Sequence, residues 1–233
     1  MNRRTFNKTS LTFVLTAIST FSAIKGPAFA SRDIEEPFRI NLGDQQKLKR
    51  RFRRKQISYR TAEPPGTIII NPYSKYLYLI LGGGEAMRYG VGVGRQGFEW
   101  SGEAVIRHKA KWPRWTPPKE MVERDELAAK WANGMPGGPK NPLGARALYL
   151  FQGQVDTLYR IHGTFQPETI GKAVSSGCIR LINADIADLY ERVQLGAKVV
   201  VISHSDEIAD GIPTQRKRQF FDRLFGRTEL DHQ

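Results

Sequence analysis

The chain has 233 residues, with 36 Lys and Arg against 23 Asp and Glu, a formal net charge of +13, and a single cysteine. That length allows one sizeable core and is too short for two comfortable domains. One cysteine excludes an intramolecular disulfide framework, and with only four scattered histidines beside it the chain lacks the ligand spacing of a zinc site, so no metal is expected.

Residues 1–30 read as an export signal. Arg3-Arg4 stands in the frame Asn2-Arg3-Arg4-Thr5-Phe6-Asn7-Lys8, an apolar stretch covers residues 11–24, and Pro27-Ala28-Phe29-Ala30 is a small-residue cleavage site. The paired arginines favour the twin-arginine route over the general secretory one. An uncleaved anchor is the alternative, but the apolar run falls short of the ~20 residues that span a bilayer, and no later segment is long and apolar enough to do so. Cleavage after Ala30 would leave 203 residues at +9. An exported protein of that charge meets wall carboxylates and lipid headgroups first, so peripheral contact with wall or membrane is expected and nucleic-acid binding is not. Export also puts the thiol in an oxidising compartment, where an unpaired cysteine is a liability unless it has work to do.

Residues 31–65 form a basic arm, with Lys47, Lys49, Arg50, Arg51, Arg53, Arg54 and Lys55 crowded before Pro64-Pro65-Gly66. Blocks of like charge repel and rarely pack, so a solvated, partly disordered arm is expected; the functional alternative is an electrostatic tether. Residues 66–203 form the central stretch. Strands are predicted at Ile68-Ile69-Ile70 and residues 76–81, joined by turn chemistry at Asn71-Pro72-Tyr73-Ser74-Lys75. Further strands are predicted at 86–93, 103–107, 147–152, 157–162 and 198–202. Two helices are predicted: 118–130 behind Pro117-Pro118, and 184–193 with Ile186, Leu189, Tyr190 and Val193 on one face.

Between them, Trp112-Pro113-Arg114-Trp115-Thr116-Pro117-Pro118 and Asn133-Gly134-Met135-Pro136-Gly137-Gly138-Pro139 are too rich in Pro and Gly to be regular. Trp112 and Trp115 point to a substrate wall, an ordinary surface loop being the alternative. Residues 204–233 form a second basic tail in which Phe220, Phe221, Leu224 and Phe225 interleave with arginines, a pattern compatible with a short amphipathic helix. The fold class expected is mainly β, a mixed β-sandwich with one or two short helices and a long Pro/Gly/Trp-rich loop.

The cysteine, Cys178, lies in Ser175-Ser176-Gly177-Cys178-Ile179-Arg180, downstream of Ile161-His162-Gly163-Thr164. A lone cysteine is most often a small buried hydrophobe. Here Gly177 permits a tight turn and Arg180 supplies a nearby cation, both suited to a reactive thiol. His162 is the best candidate base; His108, His204 and His232 are its rivals.

At these residues the chain resembles the L,D-transpeptidase catalytic domain family, also called YkuD or ErfK/YbiS/YcfS/YnhG, whose pattern is His-Gly-Thr, a spacer and Ser-His-Gly-Cys-Ile-Arg. The resemblance runs from about residue 66 to 203, through Tyr89-Gly90-Val91-Gly92-Val93-Gly94, Asn141-Pro142-Leu143-Gly144-Ala145-Arg146 and Asn183-Ala184-Asp185. Ser176 departs from it, standing where many members carry a second histidine. The resemblance implies the same fold and a cofactor-free acyl transfer on peptidoglycan stem peptides. Cys178 would be the nucleophile and His162 the proton acceptor and donor. Gly177 and Cys178 N–H groups would stabilise the oxyanion, with Gly163 and Ser176 in orienting roles. Ser175 and Ser176 would orient the histidine or bond substrate, or serve only the turn. Arg180 would grip a stem carboxylate or pair with Asp185 or Asp188. The acyl acceptor would be a second stem, an outer-membrane protein or lipoprotein, or water. A non-catalytic wall-binding module is the distant alternative.

Overall fold

β-Branched and aromatic runs broken by Asn, Pro and Gly turns dictate a strand-rich chain, and the computed structural model, which describes residues 36–94, 101–175 and 177–203, is mainly β. Its strands are β1 (Lys55–Ser58), β2 (Ile68–Asn71), β3 (Tyr76–Gly82), β4 (Glu85–Gly90), β5 (Val93–Gly94), β6 (Gly102–Lys111), β7 (Arg146–Gln152), β8 (Val155–His162), β9 (Ala173–Ser175), β10 (Ile179–Arg180) and β11 (Lys198–Val201). The helices are α1 (Asp44–Lys47), α2 (Lys119–Val122), α3 (Glu126–Lys130) and α4 (Asn183–Arg192), with 3₁₀ turns at Arg50–Phe52 and Pro167–Thr169.

Nine strands make one mixed sheet in the order β1-β4-β3-β2-β11-β6-β7-β8-β10, and β5 pairs with β9 in a separate ribbon. The pairing is antiparallel except that β11 runs parallel to β2, β10 parallel to β8 and β5 parallel to β9. β11 thus enters the middle of the sheet, where Val199 and Val201 are buried. Period-two alternation sorts the side chains onto two faces. Ile68, Ile70, Leu77, Leu79, Ile106, Leu148 and Ile161 join a first core that Ile186 and Leu189 of α4, and Val193 just after it, complete. Ile69, Tyr76, Tyr78 and Ile80 belong to a second.

That second core corrects the expectation of a solvated arm. Leu48, Phe52 and Tyr59, set among the basic residues, are 5%, 5% and 4% exposed and belong to it, while β1 adds an edge strand to β4 from Lys55↔Arg88 to Ser58↔Glu85. Three apolar residues spaced through a charge run suffice to dock it once a sheet face needs covering, and the cations Lys47, Lys49, Arg50, Arg51, Arg53 and Lys55 remain exposed. The predicted helix 118–130 is two helices, because Asp125 adopts an extended conformation and caps the second, its Oδ1 accepting the Ala128 N–H at 2.9 Å.

The Pro/Gly/Trp excursion is stitched rather than loose. Asn141, fully buried, donates its amide to the carbonyls of Pro113 (3.1 Å) and Pro136 (3.0 Å), and Trp115 and Met135 exchange backbone hydrogen bonds. The export signal and residues 204–233, with their amphipathic pattern, lie outside the described residues.

Candidate active site

β7 and β8 are antiparallel neighbours, and β10 adds to β8 in parallel with Ile179 beside Ile161 and Arg180 beside His162. Ile161 and Ile179 turn into the first core, both fully buried. Alternation then sets Arg160, His162 and Arg180 on the opposite face, and the same register carried back one residue brings Cys178 beside Arg160. β10 is too short to pair with the preceding part of β8. The thiol takes that place: Sγ lies 4.0 Å from the Leu158 carbonyl, and the Arg160 backbone N–H is a hydrogen-bond donor to it.

His162 is 4% exposed, with the small Ala147 directly opposite on β7. Its Nδ1 is 2.6 Å from the Gly163 carbonyl, which can only accept, so the proton sits on Nδ1 and Nε2 is the basic nitrogen. The turn after His162 depends on Gly163. A Cβ there would collide with Asn183 Oδ1, which accepts the Ala145 N–H at 2.9 Å, and would lie 3.1 Å from the Ile186 methyl. Gly177 has φ +123°, and a Cβ on it would come within 2.9 Å of the Tyr159 ring.

Burial lowers the His162 pKa to about 4; its Gly163 hydrogen bond opposes the shift, and the Arg180 and Arg160 charges add to it. Burial pushes the half-buried Cys178 thiol up, and the Arg160 N–H and the same two guanidinium charges pull it partly back. Near neutrality the pair is therefore a neutral thiol beside a neutral imidazole, rather than a preformed ion pair.

Arg160 was not among the sequence candidates, although it shares the parity of His162, a signal readable once β8 is recognised. Asp156 holds its guanidinium with two contacts of 2.7 Å, and the cation lies 4.4 Å over the Tyr149 ring. Arg180 is held by reciprocal backbone bonds of 2.9 Å to Gly92. Asp185 and Asp188, its sequence-derived partners, are paired with Arg54 (3.7 and 3.0 Å), and Asp188 also with Arg192 (2.9 Å). Trp112 packs edge-on against Phe38 at 5.0 Å and donates its backbone N–H to the Ala145 carbonyl, which ties the excursion to the Asn183–Gly163 corner behind the site. Trp115 sits farther along it, against Met135. His108 is exposed on β6, three strand spacings or about 14 Å from β10. Ser175 ends β9; Ser176, His204 and His232 lie outside the described residues.

The model of the L,D-transpeptidase catalytic domain, YkuD, matches residues 65–201. Among curated relatives, the probable L,D-transpeptidase ErfK/SrfK of Escherichia coli K12 is 37% identical over 118 residues, 48% of this chain and 36% of that protein. The probable L,D-transpeptidase YbiS of the same organism is 33% identical over 142 residues, 59% of this chain and 44% of that protein. The matched part thus spans less than half the length of either relative. A solved structure described as a probable carnitine operon oxidoreductase from Brucella melitensis is 52% identical over 68% of this chain and 98% of that one, with a TM-score of 0.47; its description differs from the family's, and a likeness at that score bears on neither reading. With the family's model covering more than half its length, the chain belongs to the L,D-transpeptidase catalytic domain family.

Proposed function

We propose that this protein is an exported, cysteine-dependent L,D-transpeptidase acting on peptidoglycan tetrapeptide stems. The observation that carries the reading is the shared face of β8 and β10, with Cys178 and His162 on it and Nε2 left basic by the Nδ1 contact to Gly163. His162 Nε2 takes the thiol proton as sulfur attacks the carbonyl between the third-position diamino acid and the terminal D-alanine. The tetrahedral oxyanion is stabilised by the Gly177 and Cys178 N–H groups. The C–N bond breaks, His162 returns its proton to the departing D-alanine amine, and a thioester remains. An amine then attacks the thioester and passes a proton through His162 to the released sulfur.

Pairing a neutral thiol with a neutral base suits this sequence, because deprotonation is coupled to attack and a thiolate is not left standing in an oxidising compartment. Arg180, whose charge is felt at both groups, supplies carboxylate recognition, with Ser175 and Trp115 as further contacts to the stem; Trp112, expected from the sequence in the same wall, is instead buried against Phe38 and holds the excursion in place. The acyl acceptor is a second stem amine, giving a 3-3 cross-link, or an amine of an outer-membrane protein or lipoprotein. Residues 1–30 direct export to the periplasm and wall, and among the described residues no helix is long and apolar enough to cross a membrane. The exposed cations of residues 47–55 face wall carboxylates or lipid headgroups.

Incubating the purified protein with tetrapeptide-bearing wall fragments and weighing the products tests the reading. Cross-linked fragments that have lost one D-alanine, absent with Cys178→Ala, are expected. Simple loss of D-alanine would make the enzyme a carboxypeptidase, and unchanged fragments would overturn the assignment.

A further inference from the structure

Residues 44–59 precede the family match, which begins at residue 65, yet they complete the second core. That core holds the nucleophile segment at both ends. Ile170, just before β9, and Ile182 and Ala184, just after β10, share one apolar cluster with Leu48, Phe52 and Tyr59. Cys178 lies between these anchor points.

Phe52 makes the closest fit. Its ring lies so near Gly171 that a Cβ there would collide with it, its backbone lies equally close against Gly90, and its ring centroid is 5.5 Å from that of Tyr76. Gly171, at φ +82°, donates to the Val91 carbonyl at 2.9 Å, and Val93 donates to the Lys172 carbonyl at 3.0 Å, so this corner launches β9 along β5 toward Cys178. On the far side of the cysteine, the Gln45 amide donates to Asp185, and Arg54 pairs with Asp185 and Asp188 in α4. α1 also packs against the Pro167–Thr169 turn and against α4.

We propose that residues 44–59 are a positioning brace for the nucleophile, and that Phe52, seated on Gly171, is the positioning residue that sets how deeply the Cys178 thiol lies against β8. This rests on the acyl-transfer reading for its effect on turnover, but not for its effect on the thiol. The segment accordingly has two sides: Leu48, Phe52 and Tyr59 hold the cysteine segment, and the cations between them face solvent.

The test is the rate of Cys178 alkylation by iodoacetamide from about pH 6 to about pH 10, read with turnover on wall fragments and a thermal melt. Phe52→Ala leaves the first core untouched and is expected to melt cooperatively. Its alkylation midpoint should move down toward an ordinary thiol as burial is lost, with kcat about tenfold lower and KM within about twofold. Phe52→Leu, which restores apolar volume, should recover most of both. A purely structural role would lower the melting temperature without moving the alkylation midpoint well below the melt. A folded Phe52→Ala with wild-type midpoint and kcat overturns the proposal. Should that variant not fold, Gln45→Ala is read in the same assay: a smaller shift in the same direction supports the brace and an unchanged profile overturns it. Wild-type protein that turns over no wall fragment, while Phe52→Ala still shifts the alkylation midpoint, would reject the acyl-transfer reading and keep the brace.

Discussion

Two buried clusters of ionisable groups flank the short run from Cys178 to Asp188, and burial acts on them differently. Around Cys178 and His162 the nearest charges, Arg160 and Arg180, are both cations: they add to burial in disfavouring the imidazolium and only partly offset it in favouring the thiolate, so both groups stay neutral near pH 7. Asp188 is surrounded mainly by partners: the Tyr89 hydroxyl donates at 2.6 Å, Arg192 at 2.9 Å, and Arg54 pairs at 3.0 Å. Against its burial, these hold the carboxyl below the usual range. Asp185 is intermediate. It is fully buried with Oδ2 unpartnered among the described residues, and burial raises it to about 7 despite Arg54 and Gln45. Burial among opposite charges makes a clamp at Asp188, whereas burial that outweighs its surroundings keeps His162 neutral and able to accept a proton.

The comparison breaks most visibly at His162. His162→Ala should lower turnover by about 10²- to 10⁴-fold, the usual scale of general-base loss, and should slow neutral-pH alkylation of Cys178. Turnover within about threefold of wild type would show that another group accepts the proton.

Gly163→Ala tests whether the carbonyl that orients His162 depends on the packing behind it. The added Cβ meets Asn183 Oδ1, with the Ala145 nitrogen 3.0 Å away. A loss of about 1–3 kcal/mol in a denaturant melt is expected, with a parallel fall in turnover. Wild-type stability would mean that the corner yields.

The acid limb of kcat/KM sharpens the contrast further. A base that works unprotonated with a pKa of about 4 should keep the enzyme active through pH 5, where an ordinary imidazole would have lost about thirtyfold. A midpoint near 6.5 would mean that His162 is solvated during turnover. The same depressed pKa makes the unfolded chain bind more protons as pH falls from 6.5 toward 4, so this group's contribution to stability declines across that window and initial rates are required.

The smallest expected effect lies in the clamp. Asp185, raised from 3.8 to about 7, stabilises the fold while protonated and loses that contribution as pH climbs through the interval. Asp185→Asn keeps the Oδ1 acceptor and removes the charge. Its melting temperature should therefore fall less than that of wild type between about pH 5 and about pH 8, by a few degrees. Equal falls in the two proteins would mean that Arg54 already neutralises Asp185.

The elements most legible in the sequence were those with local cause. Ile68-Ile69-Ile70, the Asn71 turn and the run from Tyr76 form a hairpin because β-branched and aromatic residues flank turn chemistry. α4 buries Ile186 and Leu189 because their spacing is helical. Cys178 and His162 stood out by their motifs alone. The composition between Trp112 and Pro139 signalled an irregular excursion, but not that Asn141 would tie it down, since that needs the Pro113 carbonyl, 28 residues away, beside the Pro136 one.

Sequence alone thus determined the chemistry available to this protein: one thiol, one motif-linked histidine, and strands and a helix with clear periodicity. Tertiary structure decided how they are used. Pairing between strands far apart in the chain is not encoded by local pattern, so only the β8–β10 register brought Arg160 beside Cys178 and left His162 buried among cations. For the same reason the basic arm reads as a solvated tail. The apolar surface that buries Leu48, Phe52 and Tyr59 does not exist until the second face of the sheet has formed.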